Sequence, residues 1–318
     1  MRLRTAPLLL ACLVAGITTA SACDVPVFRY ALERWESDPF QLVVFNHGPL
    51  APAFEQKLKA TQPSPEDHKT HVNWRVTVVD VDKPVAPLWD GLWQAAAKDK
   101  MPAAALCTPE WRKGDAALWS GALTDASMRQ LVLSPKREEV LKHLLKGTAV
   151  VWLVVETKDK ASNQKLAAML NEQSDRLLKE IIIPAAGGRG SPDVRSPLPI
   201  EVSFAQVHVK ADDPEEQILI RLLTNGAAVT EPMLYPVFGR ARALASMKSS
   251  TVDADLVDET SRFLCGACSC QVKAQNPGFD LLAEANWESI FGDQEPPPLE
   301  SEPRRATPVY VPIPGRKK

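Results

Sequence analysis

Apolar and polar positions along this chain follow two rhythms, the strand period of two and the helix period near 3.6. Residues 24–40 (DVPVFRYALERWESDPF) predict a short helix, with Tyr30, Leu32 and Trp35 on its apolar side and Asp38-Pro39 as its stop. Residues 41–46 (QLVVFN) predict a short apolar strand with a glycine-proline turn behind it. A helix is expected over 52–61, a polar loop over 63–71 and a strand over 72–82 that ends at Lys83-Pro84. Residues 88–97 (LWDGLWQAAA) predict a helix with Trp89 and Trp93 four apart on one face. Strands are expected at 103–107 and 116–120, then a helix capped by Thr124 or Asp125 and running to about residue 133. A further helix over 137–146 closes at Gly147.

The pattern then restarts. Residues 149–156 (AVVWLVVE) predict a strongly apolar strand and 161–180 an amphipathic helix. Residues 184–199 are rich in Gly, Pro and Ser and predict a loop. A strand at 200–209 and a capped helix at 213–223 follow. Two strands, 233–238 and 241–247, are expected as a hairpin about Gly239-Arg240, before a helix over 253–264 that ends at Cys265-Gly266. The order strand–helix–strand–helix–strand–strand–helix thus occurs twice, which suggests an internal duplication.

That order resembles the thioredoxin fold, and local residues carry the likeness. QLVVFNHGPL is similar to the thioredoxin strand that leads into a Cys-Gly-Pro-Cys turn and its helix, with His47-Gly48-Pro49-Leu50 occupying the turn here. VTVVDVDKP resembles the second strand, and Met101-Pro102 followed by AAALC resembles the cis-proline and the strand behind it. AALWSGALTDASMRQLV is similar to the closing strand, glycine turn and last helix. In the second half, Glu231-Pro232-Met233 through Met247 resembles the proline-led hairpin, and TVDADLVDETSRFL the last helix. The resemblance implies an α/β fold of two tandem thioredoxin-like domains with mixed central sheets flanked by helices. The first would span 41–146 and the second 147–291, after an N-terminal helical segment at 23–40. As a whole, the chain also resembles exported bacterial proteins of unknown function, a match that supplies no activity.

The departure matters more than the likeness. Thiol–disulfide chemistry needs two thiols, the first activated as a thiolate. His47 and Leu50 replace them in the first unit, and Thr157-Lys158-Asp159-Lys160 stands at the corresponding junction of the second. The expectation is a redox-inactive turn in each, since fold alone carries no activity.

The N-terminus changes the setting. Arg2 and Arg4, an apolar run at 8–17 and Ala20-Ser21-Ala22 read as a secretion signal over residues 1–22. The expected location is extracytoplasmic. Cys23 directly after Ala22 is a candidate for lipidation, although a lipoprotein site usually has Leu where Ala20 stands. The protein is therefore expected either free in the periplasm or tethered through Cys23. The formal net charge is −2, and removing Arg2 and Arg4 with the signal leaves −4. Neither value favours nucleic acid or an anionic membrane surface, so the expected partner is another envelope protein. Residues 292–318 are Pro-rich and predict a disordered tail.

Six cysteines remain as candidate chemistry: Cys12, Cys23, Cys107, Cys265, Cys268 and Cys270. Cys107, Cys265, Cys268 and Cys270 are disulfide candidates in a compartment that permits pairing. Cys268 and Cys270 are also the candidates for thiol exchange, and Cys265, Cys268 and Cys270 for a soft metal, copper or zinc. No cofactor is otherwise expected. The cluster follows a helix C-terminus, where the dipole disfavours a thiolate. His47 lacks a named partner in sequence, and His68 and His71 sit in a polar loop. Trp74, Trp89, Trp93 and Trp119 are expected to fill the first core. Gly187-Gly188-Arg189-Gly190 opens no helix and is not a phosphate loop.

Overall fold

The computed structural model describes residues 25–63, 70–96, 100–183, 194–267 and 273–299. The fold is α/β, with mixed sheets flanked by helices. In the first sheet the central strand is β1 (Phe40–Asn46), apolar on both faces because both are covered. It pairs parallel with β3 (Trp74–Asp80), Phe40 opposite Trp74, and antiparallel with β4 (Ala103–Cys107), Phe45 opposite Ala103. β5 (Trp119–Ala122) closes the far edge antiparallel to β4. Phe40, Leu42 and Val44 meet Leu58 of α2 (Pro52–Ala60) and Leu131 of α4 (Asp125–Val132), while Val43 and Phe45 meet Leu92 of α3 (Asp90–Gln94).

The second sheet repeats that plan. β6 (Val150–Glu156) runs parallel to β7 (Phe204–Lys210) and antiparallel to β8 (Met233–Phe238), which pairs antiparallel with β9 (Arg242–Ala243). β10 (Met247–Lys248) pairs with β8 and β11 (Phe279–Asp280) with β9. Successive β6 side chains point to opposite faces. Val150, Trp152 and Val154 enter one cluster with α1 (Val27–Arg34), α6 (Lys160–Glu180) and α8 (Ala254–Cys265). Val151, Leu153 and Val155 enter another with α5 (Pro135–Leu145), α7 (Gln217–Thr224) and the 3-10 turn Trp287–Phe291.

Several elements depart from the sequence expectation for identifiable reasons. The N-terminal helix ends at Arg34 rather than at Asp38-Pro39, and it is buried nearly all round rather than along one side. Its charges survive burial because they are paired. Arg29 Nε lies 2.7 Å from Glu33 Oε1, and Arg29 Nη2 donates to the Ser196 carbonyl at 2.7 Å. Gly239, at φ +57°, lets this helix approach: a Cβ there would lie 2.6 Å from the Ala31 Cβ. β5 begins at Trp119, not 116, and takes Gly121 into the strand opposite Ala104 instead of a turn. β7 begins at Phe204, where pairing with Val150 starts, so 200–203 are not strand. α7 starts at Gln217 because Asp213 initiates a turn, accepting from the Glu215 N–H. The hairpin's second arm is cut to β9 and β10.

The two sheets are joined by the C-terminal segment. Leu281 and Ala283 pack into the cluster of α5 and α7, while Leu282 between them packs into the cluster of α2 and α4. Beyond it, β12 (Glu284–Ala285) pairs with β2 (His71–Val72) beside the first sheet. The Asn73 amide donates to the Leu281 carbonyl at 3.0 Å and its oxygen accepts the Ala283 N–H at 2.7 Å. Asp280, Lys273, Arg242 and Asp38 meet at the same seam: Lys273 Nζ lies 2.6 Å from Asp280 and 2.9 Å from Asp38. Among the described residues, no helix is long and apolar enough to cross a membrane.

Candidate functional sites

The first candidate is the turn between β1 and α2. Its shape is set by side chains at the ends of the two parallel strands. The Asn46 amide donates to the carbonyls of His47, Gly48 and Pro49 at 3.1, 3.3 and 3.2 Å. Asp80, at the end of β3, accepts the N–H of Gly48 at 3.0 Å and of Asp82 at 3.1 Å. The Lys83 ammonium 3.0 Å from Asp80 and these N–H groups hold its carboxyl below the ordinary carboxylate range. Gly48 adopts φ +64°, a left-handed conformation that glycine reaches without a side-chain penalty. The Met101–Pro102 peptide is cis, and the β1–β4 register continued by one residue places Pro102 beside Asn46.

His47 has a partner after all. Its Nδ1 lies 2.7 Å from Asp82 Oδ1, with the two side chains 63% and 58% exposed. Leu50 is buried in the cluster with α2, so the fourth turn position is a core side chain. The turn thus presents a solvated imidazole–carboxylate pair on a hydrogen-bonded backbone, with neither a thiol nor a hydroxyl in the four residues.

The structure places the remaining candidates apart. Cys107, ending β4, and Cys265, ending α8, are free buried thiols in separate clusters and are not paired with each other. Burial, with Asp115 adding repulsion, pushes the Cys107 thiol up to about 12. Burial pushes Cys265 up to about 12 as well. Both are poor nucleophiles at neutral pH. Cys12, Cys23, Cys268, Cys270 and His68 lie outside the described residues, as do the signal segment and most of the Pro-rich tail. His71 sits in β2 opposite Ala285. Among the described residues, no group of three or more His, Cys, Asp or Glu could hold a metal ion. Trp74 fills the first core as expected, but Trp89, Trp93 and Trp119 are only half-buried. Trp89 stacks on Trp111 at 5.6 Å and Trp93 meets Phe45 at 5.4 Å.

A second candidate is a crevice of about 550 Å³ outside the carboxyl ends of β6 and β7. Open α/β sheets place ligand crevices at this end of their strands, and the volume falls in the range of small-ligand sites. One wall is the 156–159 turn, one is α7 through Ile220 and Arg221, and the third is the 226–230 loop. Glu156, one of the lining residues, lies 2.8 Å from His208 Nδ1. No motif marks this crevice. Its only sequence signal is Asn225-Gly226, both at positive φ, which end α7 and turn the chain back over the strands. The chain matches no family model and no curated protein.

Proposed function

We propose that the chain is an exported, non-catalytic binding or scaffold protein of the cell envelope, built of two thioredoxin-like units. The observation that carries this reading is the β1–α2 turn, where a solvated His47–Asp82 pair and a buried Leu50 stand where a redox turn needs two thiols. The repeated strand plan of the two sheets supports the duplication. The two described thiols add support, since each is buried with its acidity suppressed. The soft-metal and thiol-exchange reading of Cys265, Cys268 and Cys270 draws no support from Cys265. The partner is expected to be another envelope protein, with a membrane link only if Cys23 carries lipid.

The test is an insulin-reduction assay on the purified exported chain with dithiothreitol as reductant. Turnover indistinguishable from dithiothreitol alone is expected. Robust turnover that disappears in a Cys268→Ser/Cys270→Ser variant would overturn the non-catalytic reading.

A further inference from the structure

The crevice beside β6 and β7 has two properties that go together. The first is unused main chain. β6 and β8 stop pairing at Val155 and Met233, and the chain that forms the wall beyond them makes no ladder. Among the described residues, the N–H and C=O groups of Ala228, Val229 and Thr230 form no hydrogen bond. Ala228 and Thr230 are exposed, like the preceding Gly226-Ala227, and Val229 between them is half-buried. An exposed row of unpaired backbone groups is what an extended chain pairs with.

The second property is charge. The acids of the crevice are engaged. Glu156 is held by His208 at 2.8 Å. Asp159 accepts the N–H groups of Ala161 at 3.0 Å and Ser162 at 3.1 Å, as the cap of α6. Asp212 lies 3.6 Å from Lys158. Arg221, on the α7 wall, has no side-chain partner among the described residues. The lining thus carries three carboxylates and two cations, and Arg221 is the one charged side chain of that lining without a partner among the described residues; its planar fork suits a carboxylate.

We propose that this crevice binds an extended peptide segment bearing a carboxylate, with the 228–230 main chain as its edge and Arg221 as the carboxylate's partner. The proposal rests on the binding-module reading and gives that module its ligand class. The peptide main chain supplies the donors and acceptors that the 228–230 edge lacks, and the half-buried Val229 offers apolar contact beside it. A free dicarboxylate would satisfy Arg221 alone and leave the edge unused.

The experiment probes an array of random 12-residue peptides with the full exported chain, its Arg221→Gln variant and its Ala228→Trp variant, and adds free glutarate as competitor. Retained peptides should be enriched in Asp and Glu. Replacing the acid of a retained peptide by its amide, or Arg221 by Gln, should weaken binding by about 10-fold, the scale of one charge-assisted bidentate contact. Ala228→Trp should abolish retention. Both substitutions are at exposed positions, so unchanged thermal melting keeps a misfolded variant from imitating the result. Absence of any retained peptide, retention without acid enrichment, or equal competition by glutarate would each overturn the proposal. A chain that reduces insulin yet binds acidic peptides refutes the non-catalytic reading alone. A chain inert towards insulin and blind to peptides refutes the crevice alone.

Discussion

Individual side chains set the chemical limits of this molecule. A thiol needs water, a cation or a helix N-terminus to ionise near neutral pH. Cys107 lies in a strand and packs in one apolar cluster, and Cys265 lies at a helix C-terminus in another. Burial is the first cause of the upward shift to about 12 at both. A chain with Cys12, Cys23, Cys268 and Cys270 all changed to Ser should therefore show no titratable thiol with an aromatic disulfide reagent while folded. Two should appear on unfolding. Rapid reaction of either in the folded chain would mean its cluster opens readily. The turn residues were legible in sequence to a different degree. The absence of thiols at His47 and Leu50 needs only the sequence. The Asp82 partner of His47 could not be read, because it comes from just beyond the end of β3, 35 residues away. The Arg221 crevice was illegible for a further reason: an unused backbone group has no residue type, and its only sign is a missing hydrogen bond.

At the level of elements, strands covered on both faces declared themselves. FQLVVFN, AAALC and VVWLVVE are continuous apolar runs because each is central in its sheet. Elements at sheet margins did not. β5, β7 and α7 begin where a partner strand or an initiating turn permits, three or four residues from where periodicity puts them. The C-terminal segment was the largest surprise. Residues 279–285 contain no long apolar run, yet their alternation serves two cores, Leu281 and Ala283 in one and Leu282 in the other. Leu282→Ala should cost about 2–5 kcal/mol in urea unfolding, the usual range for a buried leucine truncation. Leu299→Ala, at an exposed position in the same terminal region, should stay within about 0.5 kcal/mol. Equal effects at both positions would show that the segment does not hold the two clusters together.

Across the whole molecule, the seam between the sheets is electrostatic as well as apolar, and its acids carry opposite signs of pH dependence. Burial alone would raise the Asp280 carboxyl, but Lys273 and Arg242 outweigh it and hold the group below its ordinary value. Its contribution to stability is therefore present above the unfolded value and lost as pH falls through the lowered folded value. Asp38 is raised, first by burial and then by Asp280. Its protonated form is favoured in the fold, so stability is gained below the unfolded value and lost as pH rises through the raised one. Asp280→Ala leaves Lys273 and Arg242 without their buried carboxylate and should cost about 3–5 kcal/mol at neutral pH. That deficit should shrink in acid, where the parent chain loses the same charge. Asp38→Asn keeps an oxygen for Lys273 and removes the repulsion with Asp280. It should be at least as stable as the parent at neutral pH, with the advantage vanishing in acid. Urea midpoints of the two variants from neutral to acid pH check both signs, and slopes of the same sign for the two residues would mean that the seam does not divide its charge in this way.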